Sequence, residues 1–128
     1  MTDQAPILTV TLNPALDLST AADAVRPDLK LRCDKPVADP GGGGINVSRA
    51  IKIMGGTSTA MVALGGATGA RIAGMLQADG LSVVRLTTPG ETRQSLAVTD
   101  RRHGGQSRFV MPGPEWHMAQ VADMMSAI

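Results

Sequence analysis

Residues 39–46 read Asp-Pro-Gly-Gly-Gly-Gly-Ile-Asn, and an apolar stripe at helical spacing starts at once behind them. Val47, Ala50, Ile51 and Met54 fall at i, i+3, i+4 and i+7. Glycines without Cβ let backbone approach a ligand and let φ turn positive. The helix N-terminus behind them offers free N–H groups to oxygen atoms. The run is either a cradle for an oxygen-rich ligand or a plain flexible bend. It is not a phosphate loop of the Gly-x-x-x-x-Gly-Lys-Ser/Thr type, because Ile45-Asn46 stand where Lys-Ser/Thr would be, nor is it Gly-x-Gly-x-x-Gly after a first strand. Asn46, one turn into the helix, favours the cradle, since its amide both donates and accepts.

Outward from this run the chain alternates. Ile7 to Leu12 predicts a buried strand ended by Asn13-Pro14. Helix one stops at Gly55-Gly56, and Thr59 to Leu64 predicts a second strand. A second helix is expected near 69–79, with Ile72, Met75 and Leu76 on one face and Gly80 as its cap. Leu81 to Thr87 predicts a third strand. This order implies parallel βαβ units in a doubly wound sheet. Two stretches fall outside the rhythm. Leu29, Leu31 and Cys33 alternate with charged residues and suggest a half-exposed strand. Gln94–Thr99, Gly104-Gly105 and Ser107–Met111 suggest a hairpin. A last helix is expected from about Pro114, with Met118, Val121, Ala122 and Met125 as its stripe. Three strands and three helices would leave a bare sheet edge and an uncovered face, which predicts self-association.

Composition narrows the function. The 128 residues carry a net charge of +1, so they lack the basic footprint of a nucleic-acid binder. Aromatics are 2%, too few for base stacking. Cys33 is the lone cysteine and cannot pair internally; with no secretory signal in Met1–Pro6, a cytoplasmic setting is expected. No apolar run reaches the ~18 residues of a membrane span.

The candidate ligand residues are few. Asp17 follows strand one, at the carboxyl end where open α/β sheets bind ligands; by itself it reads as an ordinary loop carboxylate. Arg93 and Arg108 carry guanidinium forks suited to phosphate, and Lys30 adds a third cation; singly, each fits a solvated face. Arg101, Arg102 and His103, at the expected hairpin tip, are assigned to solvent. No His/Cys cluster suggests a metal, and no Ser or Cys33 has an arguable base partner.

Together these segments resemble the PfkB (ribokinase-like) carbohydrate kinases. The resemblance rests on Thr11–Asp17, Asp39–Ala50, Gly65–Gly69, Thr92–Gln94 and Arg108–Gly113, in order, with Leu31–Cys33 and Pro36-Val37 narrowing it to the minor 6-phosphofructokinases. It implies a three-layer α/β/α fold with a β lid at about 14–38 and 93–111. It implies transfer of the γ-phosphoryl of ATP, with Mg2+, to the 1-hydroxyl of fructose 6-phosphate. Asp17 would bind sugar hydroxyls, Gly42, Gly43 and Asn46 would line the sugar, and Arg93 with Arg108 would hold the 6-phosphate. Lys30 would touch phosphate or nucleotide, and subunits would pair through the lid. Family members are more than twice this length, and their Gly-Ala-Gly-Asp motif and nucleotide site have no counterpart here. The chain is therefore expected to be the substrate-binding N-terminal half (residues 1–128), with no catalytic base and no turnover alone. Tagatose 6-phosphate and fructose 1-phosphate are alternative substrates. A non-catalytic sugar-phosphate-binding or dimerisation module is the alternative role.

Overall fold

The computed structural model describes residues 4–128; the reading of Met1–Asp3 as free of a targeting signal lies outside them. The elements are β1 (Leu8–Thr11), β2 (Ala15–Ala22), β3 (Val37–Gly41), α1 (Gly43–Ile53), β4 (Thr59–Leu64), α2 (Gly66–Ala78), β5 (Ser82–Thr87), β6 (Arg93–Asp100), β7 (Gln106–Phe109) and α3 (Met118–Ala127). Two sheets result. The first is parallel, in the order β1-β4-β5. The second runs β3-β2-β6-β7.

The first sheet is the βαβ core that the alternating apolar runs predict. Residues of β4 point alternately to its two faces. Ala60, Val62 and Leu64 pack with Ile45 of α1 and with Ile72 and Leu76 of α2. Met61 and Ala63 pack with Leu86, and Trp116 and Met124 close over them. Helices thus cover both faces, which makes three layers. Among the described residues no helix is long and apolar enough to cross a membrane.

Helix α1 buries a different face from the expected stripe. Ile45 and Ser48 are buried, whereas Val47 is 51% and Met54 78% exposed. The inward face is set by hydrogen bonds to β1. The Ile45 N–H donates to Thr11 Oγ1 at 3.1 Å, and the Ser48 and Thr9 hydroxyls meet at 2.7 Å. Polar partners buried against β1 fix the rotation of the helix, and satisfied polar pairs can hold that rotation against an apolar pattern. Gly44 allows the approach: a Cβ there would lie 2.8 Å from the Val10 carbonyl oxygen.

The second sheet corrects two expectations. No strand forms at 29–33; only Cys33 makes an isolated bridge to Ala22. Asp28 has φ 63° and turns the chain, and Leu29 is 61% exposed, so the alternation has no face to bury. Instead β2 and β3 flank the loop, antiparallel to each other, while β2 also pairs with β6 in parallel. The hairpin β6–β7 is as expected, turning through Gly104 and Gly105, both at positive φ.

The last helix begins later than expected. Pro112-Gly113-Pro114 is not helical, and α3 starts at Met118 behind His117 as its N-cap. Gly113 sits so close to the Asn13 side chain that a Cβ would collide with it. That contact commits 112–114 to packing on the β1–β2 link. Of the expected stripe, Met118 and Met125 are exposed, and Met124 takes the inward place.

Candidate functional site

The cavity of interest, about 340 Å3, lies on one face of the second sheet, where period-two alternation collects polar side chains. In register, Asp39 of β3 faces Asp17 of β2, which faces Ser95 of β6. Ala15 faces Arg93, and Ala97 faces Arg108 of β7. Asp17, Asp39, Ser95, Arg93 and Arg108 all line the cavity. The opposite face carries Leu16, Leu18 and Ala38, which join the core. Burial therefore decides the sheet's orientation, and the orientation gathers the charges.

Three of the residues singled out in the sequence are thus brought together: Asp17, Arg93 and Arg108. Gly42, Gly43 and Asn46 form the first turn of α1 and its cap, next along the chain from Asp39 and Gly41. Gly42 has φ 149°, a conformation few L-residues adopt, so glycine is required there. Gly41 packs directly on Asp17, where a Cβ would collide with the carboxylate. Of the glycine run, Gly41 brings bare backbone up to Asp17, whereas Gly42, Gly43 and Asn46 do not line the cavity. Lys30 lies in the exposed loop between β2 and β3 and does not line the cavity.

The electrostatics are bipolar. Burial pushes the Asp17 carboxyl above its ordinary 3.8; Arg93 and Arg108 oppose that rise and Asp39 adds to it. Arg93 is fixed before any ligand arrives. It donates through its two η nitrogens to the carbonyls of Met111 and Asn13, each at 3.1 Å. Its Nε is buried without a partner among the described residues. A buried, unmet donor on a cation is a strong attractor for an oxyanion.

The second glycine-led helix differs. At the N-terminus of α2, the Thr68 N–H donates to Glu91 Oε1 at 2.6 Å. Thr92 Oγ1 accepts from the Gly65 N–H at 2.9 Å. The Thr68 N–H, foremost, holds the Glu91 carboxyl below its ordinary range. This helix end is filled by the chain's own carboxylate, while at the start of α1 the Ile45 N–H is taken by the Thr11 hydroxyl. The two Gly-rich starts look alike in sequence but differ in what meets them, a carboxylate at α2 and a hydroxyl at α1.

Two further results concern residues outside the cavity. Arg101, expected in solvent, bridges Asp34 at 2.6 Å and Asp23 at 2.8 Å. Asp100 accepts from the backbone N–H groups of His103 and Val25, which hold its carboxyl far below the usual carboxylate range. The hairpin tip therefore clasps the loop that carries Lys30. Asp39 and Ser95 line the cavity without having been expected from the sequence. The signal was the alternation Leu16, Asp17, Leu18, Ser19, which marks β2 and so its partners.

The profile of the pfkB family of carbohydrate kinases matches residues 10–125. The chain belongs to the pfkB family. It is 45% identical over 114 residues to the ATP-dependent 6-phosphofructokinase isozyme 2 of Mycobacterium tuberculosis, covering 89% of this chain and 34% of the relative. It is 47% identical over 107 residues to the enzyme of the same description from Escherichia coli, covering 84% and 35%. The solved phosphofructokinase-2 of Escherichia coli in complex with fructose-6-phosphate matches at TM-score 0.91 and 40% identity, covering 97% of this chain and 41% of that one. The chain spans about a third of the length of the curated relatives it matches. The fold is therefore ribokinase-like, and the pfkB match extends over both sheets.

Proposed function

We propose that this chain is the acceptor-binding part of a kinase that moves the γ-phosphoryl of ATP to the 1-hydroxyl of fructose 6-phosphate. The bipolar cavity carries the proposal. Asp17 accepts hydrogen bonds from two sugar hydroxyls, and the backbone at Gly42 and Gly43 with the Asn46 amide lines the sugar. Arg93, held by two backbone carbonyls, and Arg108 take the 6-phosphate. The four-stranded sheet acts as the lid, with Lys30 on its loop reaching phosphate, and a second copy pairs against it. ATP and Mg2+ supply the phosphoryl group. Among the described residues no three His, Cys, Asp or Glu side chains group to hold a metal. The cavity residues act on the acceptor: they bind it, orient it and exclude water around it.

Calorimetry on this chain tests the proposal. Fructose 6-phosphate should bind at least about tenfold more tightly than inorganic phosphate, because the hydroxyls add contacts to the anion. Tighter binding of tagatose 6-phosphate or fructose 1-phosphate would change the substrate and keep the class. Equal affinity for inorganic phosphate would reduce the cavity to an anion site. No binding, with a stable dimer in light scattering, would favour the interaction-module role.

A further inference from the structure

Asp17 and Asp39 are direct register partners on antiparallel strands, and like charges in that position repel. Each needs its own compensation. Arg93 and Arg108 face Asp17 from β6 and β7. Asp39 is met from the other side. Arg49 of α1 lies 3.2 Å from Asp39 Oδ1, donates to the Pro40 carbonyl at 3.2 Å and pairs with Asp79 Oδ2 at 2.8 Å. Asp39 lines two cavities at once: the one with Asp17, and a second of about 490 Å3 with Arg49, Lys52, Ile53, Asp79 and Leu81. Its exposed carboxylate stands on the wall between them.

We propose that Arg49 is a positioning residue, holding the Asp39 carboxylate toward α1 so that the sugar cavity presents one free carboxylate, Asp17. The inference rests on the sugar-phosphate reading of that cavity. Asp17 is the hydroxyl acceptor; a second loose carboxylate beside it would raise the cost of its ionisation and repel the ligand's phosphate. Arg49 also holds the Pro40 carbonyl just ahead of the glycine bend, so one guanidinium sets both the strand end and the local charge. A lysine cannot reproduce three such contacts, because its ammonium has no planar fork.

A double-mutant cycle tests this. Arg49→Gln should weaken fructose 6-phosphate binding about tenfold at pH 7, and Arg49→Gln/Asp39→Asn should restore it to within about threefold of wild type. A purely structural staple would not be rescued by removing Asp39; a double variant as weak as the single one overturns the proposal. Carboxyl NMR without ligand separates this from the functional reading. Asp17 should titrate higher in Arg49→Gln than in wild type and fall below that of the single variant, to the wild-type value or lower, in the double variant; an unmoved Asp17 overturns the inference even if sugar binds. If wild type binds no sugar phosphate, the functional reading fails and this titration alone decides. Should Arg49→Gln not fold by circular dichroism, Asp39→Asn alone decides. It should lower the Asp17 titration and keep affinity within about threefold; a larger loss would make Asp39 a direct ligand and overturn the proposal.

Discussion

Asp17→Asn should weaken fructose 6-phosphate binding by about 100-fold, since two hydrogen bonds to a carboxylate contribute together about 3 kcal/mol. The substitution keeps shape and a carbonyl acceptor but removes the charge. Stability should move the other way. Burial raises the Asp17 pKa, with Arg93 and Arg108 only partly opposing it. A carboxyl with a raised folded pKa holds its proton longer in the folded state, so ionisation costs stability as pH rises through that pKa. At neutral pH the neutral Asn escapes that cost, and thermal unfolding should occur at the same temperature or higher. Wild-type affinity should fall as pH drops through the raised Asp17 pKa. The ligand phosphate, with its pKa of about 6, also titrates, and Asp17→Asn carries that part alone. The difference between the two pH profiles isolates Asp17. Matching profiles, or a destabilised Asp17→Asn, would remove it from the site.

Arg93→Ala should cost about as much in affinity, about 100-fold, through loss of a charge-assisted phosphate contact and of its preorganisation. It should also lower the unfolding temperature, by about 3–6 °C. The reason is structural: its guanidinium ties the carbonyls of Asn13 and Met111, where the chain passes between the two sheets. Arg108 lines the same cavity from the β7 edge with no such ties among the described residues, so Arg108→Ala should lose affinity without losing stability. Calorimetry paired with thermal melts reads both effects. Equal melts for Arg93→Ala and wild type would contradict the clamp, and unchanged affinity would contradict the phosphate site.

The core was legible because its strands are short apolar runs and its helices end in glycines, signals that act locally. The second sheet was half legible. Its hairpin is marked by Gly104-Gly105, but β2 carries no such local mark. The run Ala15–Ala22 is small and partly polar, and only long-range pairing with β3 and β6 makes it a strand. The alternation at 29–33 forms no strand for the same reason: a period of two makes a strand only where a neighbouring strand is there to pair with it. The rotation of α1 escaped because Thr9, Thr11 and Ser48 outweigh the Val47–Met54 stripe, and buried hydroxyl pairs leave no periodic mark. Asp17, Arg93 and Arg108 were found as residue types; their shared cavity comes from register, which no single segment states. The plug at α2 was equally hidden, since Glu91 and Thr68 lie 23 residues apart.

The most direct measurement is a crystal structure of this chain with fructose 6-phosphate. The account predicts the phosphate between the Arg93 and Arg108 guanidinium groups, the sugar hydroxyls on Asp17, and the ring against Gly42 and Gly43. A phosphate at the α2 N-terminus in place of Glu91, or a sugar lying outside the cavity between Asp17 and Arg108, would contradict it.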